Sequence, residues 1–182
     1  MKRSLFLFLI MLLIFTVRAE AQVAAPELPE NDIISAGLGV GLDYGGLGAN
    51  LLVYPQKNIG LFAGVGYAFV AMGYNGGVKL RLTTPKSSVD PYILAMYGYN
   101  TAFMVSGAAE YNRLFNGPSF GIGIDLGQKP GKFGYWALAI LVPIRSTEFD
   151  DYKQDLINRG IIEENVFMLP IAFSFGYRFV IR

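Results

Sequence analysis

The chain has 182 residues, 53% of them hydrophobic, a formal net charge of +1, and neither Cys nor His. No basic excess exists to hold nucleic acid. Without Cys or His, disulfides, thiol chemistry, a lipid anchor on Cys and imidazole- or thiolate-ligated metal sites are excluded.

Met1–Ala21 reads as a cleaved signal peptide. Lys2 and Arg3 form a basic start, Leu5–Val17 an apolar run, and Ala19-Glu20-Ala21 a small-x-small cleavage pattern. The run is short for a membrane-spanning helix, which needs about 20 residues. The segment carries Lys2, Arg3 and Arg18 against Glu20, so the remaining chain is near −1. That remainder holds no apolar run long enough for a helical span. If it crosses a membrane it must do so as a closed barrel, because lipid cannot satisfy an open sheet edge.

Gln22–Asp32 has two prolines and no period, and reads as a short periplasmic lead-in. The domain is expected to occupy residues 33–182. A first strand is predicted over Ile33–Asp43, with Ile34, Ala36, Leu38, Val40 and Leu42 on one face. Ser35, Gly37, Gly39, Gly41 and Asp43 lie opposite. Large apolar outside and small or polar inside is the dyad pattern of a membrane barrel wall. A second strand follows over Leu47–Tyr54, a turn at Pro55–Asn58, and a third strand over Ile59–Val70. A turn is predicted near Met72–Gly76, where Asn75-Gly76 is a hairpin dipeptide. The fourth strand ends at Thr84 and alternates Val78, Leu80 and Leu82 with Lys79, Arg81 and Thr83.

The fifth strand, Asp90–Phe103, has no clear phase. Both Tyr92/Leu94/Met96 and Ile93/Ala95/Tyr97 suit the outward face. Ser106–Gly117 reads as a loop. The sixth strand, Ser119–Gly127, sets Phe120, Ile122, Ile124 and Leu126 outward and Asp125 inward. The seventh, Phe133–Arg145, sets Trp136, Leu138, Ile140, Val142 and Ile144 outward, with Ala137, Ala139 and Arg145 opposite. The eighth, Phe167–Arg182, carries an unbroken apolar face from Phe167 through Phe173, Phe175, Tyr177 and Phe179 to Ile181. Ala172, Ser174, Gly176 and Arg178 lie opposite.

The reading is therefore all-β: an eight-stranded antiparallel transmembrane barrel in up-and-down order. Both chain ends fall on the periplasmic side. Connections near Pro55, Pro85 and Pro130 are periplasmic and short. Those near Gly45 and Gly73, with the longer Ser106–Gly117 and Ser146–Asn165, face outside.

These features resemble the small eight-stranded outer-membrane β-barrel proteins of Gram-negative bacteria. The resemblance spans Ile33 to Arg182 and is architectural. Such barrels often end on an aromatic residue; here Phe179 is followed by Val180-Ile181-Arg182. It implies a cell outer-membrane location, outer-membrane lipid as surroundings, and barrel assembly machinery and periplasmic chaperones as partners in biogenesis. The family's enzymes, which modify lipid A or cleave proteins, use a His that this chain lacks. No enzymatic activity, catalytic residue, metal or cofactor is expected.

The inward charges Lys79, Arg81, Asp125, Arg145 and Arg178 are expected to form an interior polar network. A lumen of this width is filled by side chains, and its charges need partners. Ser146–Asn165 is acidic, with Glu148, Asp150, Asp151, Asp155, Glu163 and Glu164 as candidate surface contacts. Asp151–Arg159 suits one helical piece stopped by Gly160. The spacing matches no EF-hand loop. The expected function is a non-enzymatic outer-membrane barrel of structural or surface ligand-binding role, with any extracellular ligand unidentified. The alternatives are a narrow channel and a soluble periplasmic barrel carrier.

Overall fold

The computed structural model describes residues 33–83, 88–105, 108–127, 133–162 and 169–181. The predicted leader Met1–Ala21 and lead-in Gln22–Asp32 lie outside the described residues, as do Glu163 and Glu164.

The strands are β1 (Ile34–Gly41), β2 (Gly46–Val53), β3 (Ile59–Tyr67), β4 (Met72–Arg81), β5 (Val89–Phe103), β6 (Arg113–Leu126), β7 (Gly134–Pro143) and β8 (Ala172–Ile181). Among the described residues, one α-helix, α1 (Thr147–Asn158), lies between β7 and β8. Each strand pairs with its sequence neighbours, and β1 closes on β8 from Ile34↔Ile181 to Val40↔Phe175. The result is a closed, all-antiparallel, eight-stranded barrel in meander order. Closure leaves no edge strand with unpaired backbone groups.

The period-two alternation becomes an inside and an outside. Leu38, Leu47, Leu61, Val65, Ile93, Ile122, Ile140 and Phe173 are exposed on the outer surface. They cover every strand: Val78 represents β4 on the same surface. Aromatic residues gather toward both ends of this band. Trp136 stacks on Phe175 with ring centroids 5.0 Å apart, and Tyr177 lies edge-on to Trp136 at 4.9 Å. Tyr67, Tyr74 and Tyr97 occupy the end away from the termini.

The structure moves several predicted boundaries. The third strand stops at Tyr67, and the turn lies at residues 68–71. Met72–Gly76, read as a turn, is paired strand, with Gly64↔Asn75 and Ala63↔Gly76 in register. The left-handed turn position falls to Phe69, at φ 63°, an unusual conformation for a bulky side chain. The sixth strand begins at Arg113 rather than Ser119, so much of the predicted Ser106–Gly117 loop is strand. The helix spans Thr147–Asn158, starting before the predicted Asp151.

The fifth strand's phase is unclear over residues 92–97 because its lumenal side chains are apolar too, packed in the interior with Leu52 and Leu141. Tyr92, Leu94 and Met96 face inward, while Ile93 and Tyr97 face outward. The register then slips between Tyr99 and Thr101, which pair with the adjacent Asn116 and Phe115. Asn100 is the extra residue of this bulge. A bulge shifts the pleat by one position, so Phe103 joins Phe115 on the lumenal face. There both pack on α1, with Phe149 and Leu156 buried between them.

Inserting one glycine between Phe115 and Asn116, opposite Asn100, should restore simple alternation, turn Phe103 and Phe115 outward and release α1. Limited trypsin digestion at Lys153 and Arg159 should then accelerate by roughly tenfold or more, as expected when a docked element opens locally. The unheated barrel should keep its folded mobility on a denaturing gel.

Candidate functional site

The site is the barrel interior and the mouth away from the termini. The connection after β1 does not project outward as the sequence suggested. Leu42–Tyr44 forms a single 3₁₀ turn that folds into the lumen, where all three residues are buried. Leu42, expected on the outer face, joins Leu52, Phe62, Tyr92, Leu94, Met96 and Leu141 in an interior apolar cluster. The cause is local: the strand ends at Gly41, so the alternation that placed Leu42 outside no longer applies.

Side chains from three other strands hold the turn by its polar groups. Asn50 Nδ2 donates to the Asp43 carbonyl at 2.5 Å. Asn75 Nδ2 donates to the Leu42 carbonyl, and Ser174 Oγ donates to the Asp43 carboxylate. Arg178 Nη2 donates to Asn50 Oδ1 at 2.6 Å, extending the chain of contacts to β8. The inward glycines make room. A Cβ on Gly48 or Gly66 would collide with the Tyr44 carbonyl, and one on Gly64 with that of Asp43. Gly39 and Gly176 meet the Tyr44 ring in the same way. The glycine-rich inner face is thus a bed for this turn rather than vacant space.

Below the turn, Lys79 Nζ bridges the lumen to both carboxylate oxygens of Asp125, at 2.8 and 2.7 Å. The ammonium also sits 3.6 Å from the centre of the Tyr92 ring. Both partners of the pair are fully withdrawn from solvent. Arg81 lies farther toward the termini, its guanidinium 4.1 Å from the centre of the Tyr54 ring. Asp90 accepts a hydrogen bond from Thr83 Oγ1 at 2.5 Å. Arg81 pairs in register with Tyr92, so Asp90 is its diagonal neighbour across the ladder.

Among the described residues the buried charges are Lys79, Arg81 and Arg178 against Asp43, Asp90 and Asp125. The interior is therefore formally balanced. Asp43 and Asp90 were absent from the predicted network. Asp43 was placed inward by phase but as part of a strand, and Asp90 sat on the strand whose phase was ambiguous. Arg145 is a correction in the other direction. It lies beyond the end of β7, where Nη2 donates to the Leu169 carbonyl at 2.6 Å and the guanidinium sits 5.4 Å from the Phe149 ring centre. It belongs to the mouth, not to the Lys79–Asp125 layer.

The mouth is built around α1. Phe149, Tyr152 and Leu156 recur at helical spacing and face the β5–β6 extension. Phe115 meets Phe149 edge-on at 5.3 Å, and Tyr152 Oη donates to the Tyr111 carbonyl at 2.7 Å. Glu148 and Asp150 lie in the first turn, where the helix dipole favours acids. Gly160, at φ 69°, ends the helix in the left-handed conformation. Of the predicted acidic contacts, Glu148 pairs with Arg113 at 2.5 Å and Asp155 with Arg159 at 3.0 Å. Asp150 and Asp151 are exposed on the outer side.

Breaking the Lys79–Asp125 pair should be costly. Asp125→Ala or Lys79→Ala alone should destabilise the barrel by about 3–5 kcal/mol, because each leaves one buried charge uncompensated. Lys79→Met with Asp125→Leu should lose much less than the sum of the single changes. Unfolding in detergent, analysed as a double-mutant cycle, measures this coupling.

No family model matches the chain, and no curated protein matches it. Among solved structures, the chain is similar to the crystal structure of the N-terminal β-barrel domain of Pseudomonas aeruginosa OprF. The identity is 11% and the TM-score 0.48, over 82% of this chain and 98% of that one.

Proposed function

We propose that this chain is a non-enzymatic outer-membrane β-barrel of a Gram-negative bacterium, with a structural or surface-binding role at the mouth that carries α1. The single observation that carries this reading is the apolar outer surface on all strands of a closed wall. A water-soluble protein does not expose a continuous apolar belt of this kind. In lipid the same belt is the expected exterior, and closure satisfies every strand's ladder. A soluble periplasmic carrier would need the opposite arrangement.

Membrane insertion then follows the export read from Met1–Ala21, with barrel assembly machinery and periplasmic chaperones as partners in biogenesis. With both termini periplasmic, α1 and the β5–β6 extension face the outside. A hydrolase or transferase reading finds no support in the residues: the interior has neither His nor Cys, and Lys79 is engaged by Asp125. The narrow-channel reading has one specific observation on its side, the balanced polar side chains lining part of the lumen. In this state the inserted turn and the Lys79–Asp125 pair occupy that path.

The test is membrane insertion with the phase controlled. The unheated protein should migrate as a folded barrel and fractionate with outer membranes. Ile122→Arg, at the middle of the outer belt, should lower the folded yield, at a cost of about 2–4 kcal/mol near the bilayer midplane. Gln154→Arg, exposed on α1, should leave the yield unchanged. A folded, detergent-free monomer in solution would overturn the reading.

A further inference from the structure

We propose that the tip of the β3–β4 hairpin, residues 67–72, is a lipid contact: it seats at the top of the acyl-chain layer of the outer leaflet rather than in water. The inference rests on the membrane-barrel reading and adds to it where one side of the wall ends.

No Asp, Glu, Lys or Arg occurs between Lys57 and Lys79. A two-residue hairpin loop in water usually takes Asn, Asp or Gly at its centre, residues that accept the turn's backbone and leave polar groups to water. Here the centre is Phe69-Val70, between Ala68 and Ala71. Phe69 takes the left-handed conformation, φ 63°, at a position that favours Gly. Phe69 and Met72 are each 65% exposed. The Phe69 ring meets that of Tyr67 at 6.4 Å between centroids, but most of it faces away from the protein. Packing within the chain therefore does not account for a bulky apolar residue at this strained position.

The turn's backbone is suited to an apolar setting. Acyl chains cannot hydrogen-bond N–H and C=O groups, so these must be met from within. Ala68 N–H donates to the Ala71 carbonyl at 2.9 Å, and the exposed Tyr67 Oη folds back to donate to the Phe69 carbonyl at 3.3 Å. Continuity with the outer belt selects lipid over a second protein as the occupant. Leu61, Val65, Tyr67 and Phe69 run up one strand of the hairpin, and Met72, Tyr74 and Val78 run down the other, all exposed.

The height of the hairpin agrees. At the opposite end of β3 the exposed turn 55–58, with Gln56, Lys57 and Asn58, marks water. From Ile59 to Tyr67 the strand rises roughly 20 Å along the barrel axis, at about 3.3 Å per residue and a tilt of about 40°. The apolar band of such a wall is about 25 Å tall. Phe69, two residues on, reaches the upper edge of that band and no farther. Across the barrel, the β7–β8 connection carries Glu148 and Asp150, and the β5–β6 extension carries Glu110 and Arg113, side chains for water. One side of the mouth is thus held at the lipid surface while the other stands above it.

Trp136 is the chain's one tryptophan, so single fluorescent reporters can be placed. Three folded proteins are compared in vesicles of phosphatidylcholine brominated near the top of one acyl chain. They are the parent, and Trp136→Phe carrying either Phe69→Trp or Gln154→Trp. Bromine quenches an indole lying in lipid, and iodide quenches one lying in water. The Phe69→Trp reporter should lose several times more emission to bromolipid than the Gln154→Trp reporter on α1, and far less to iodide. Bromolipid quenching no greater than that of Gln154→Trp, or iodide quenching as strong, would overturn the proposal. Weak quenching by both would overturn it in favour of a protein cover such as a second copy of this chain. If Phe69→Trp fails to fold, Met72→Trp in the same background makes the measurement at a paired strand position of the same tip. Unheated gel mobility is read on every sample. Absence of bromolipid quenching of Trp136 in the parent counts against the barrel reading, whereas a quenched Trp136 with an unquenched tip counts against the tip alone.

Discussion

The structure depends on one constraint: a closed wall that turns its large apolar side chains outward must place its polar ones in a narrow interior. Eight strands enclose a lumen about as wide as the side chains that fill it. Charges placed there lose most of their hydration and persist only with partners. Lys79 and Asp125 meet directly across the lumen, and Tyr92 offers its ring face to the same ammonium. Arg178 is tied through Asn50 to the carbonyl of Asp43. The formal balance of buried acids and bases is a consequence of this requirement.

The two ends of the barrel answer different demands. At the end holding the termini the strands stop at short connections. At the other end β5 and β6 continue past their neighbours, and the bulge at Asn100 makes that extension useful. By shifting the pleat, it keeps Phe103 and Phe115 on one face, which becomes the seat for the apolar stripe of α1. Asn100 also donates from Nδ2 to the carbonyls of Pro118 and Ile144, joining β5 to β6 and to the exit of β7. One inserted residue therefore fixes both the direction of the strand ends and the position of the helix.

The inward glycines have a comparable double role. In a barrel filled only by wall side chains they would leave voids, and voids in a packed interior are costly. Here the backbone of Leu42–Tyr44 occupies that space, with the Tyr44 ring completely buried against Gly39 and Gly176. The interior is filled partly by a connection, which is why a wall so rich in small residues still closes. The apolar cluster of Leu52, Leu94, Met96 and Leu141 fills the rest, so the lumen is not uniformly polar.

The sequence by itself determined the wall. Alternation along the strands from Ile34 to Ile181 depends only on the two-residue period of a strand, so the outward faces of β1, β3, β6, β7 and β8 were legible, as was the inward position of Lys79, Arg81, Asp125 and Arg178. What it could not determine were the places where the period breaks. Leu42 and Asp43 leave the strand for a 3₁₀ turn; Asn100 adds a residue to one side of a ladder; Asn75-Gly76, a good hairpin dipeptide, is held in a strand because Asn75 is needed inside, on the Leu42 carbonyl. Arg145 kept the inward phase on paper but lies past the last paired residue of β7. Each of these was decided by partners distant in the chain, since a local pattern records which face a side chain prefers, whereas the closed barrel decides which neighbours and how much space that face will find.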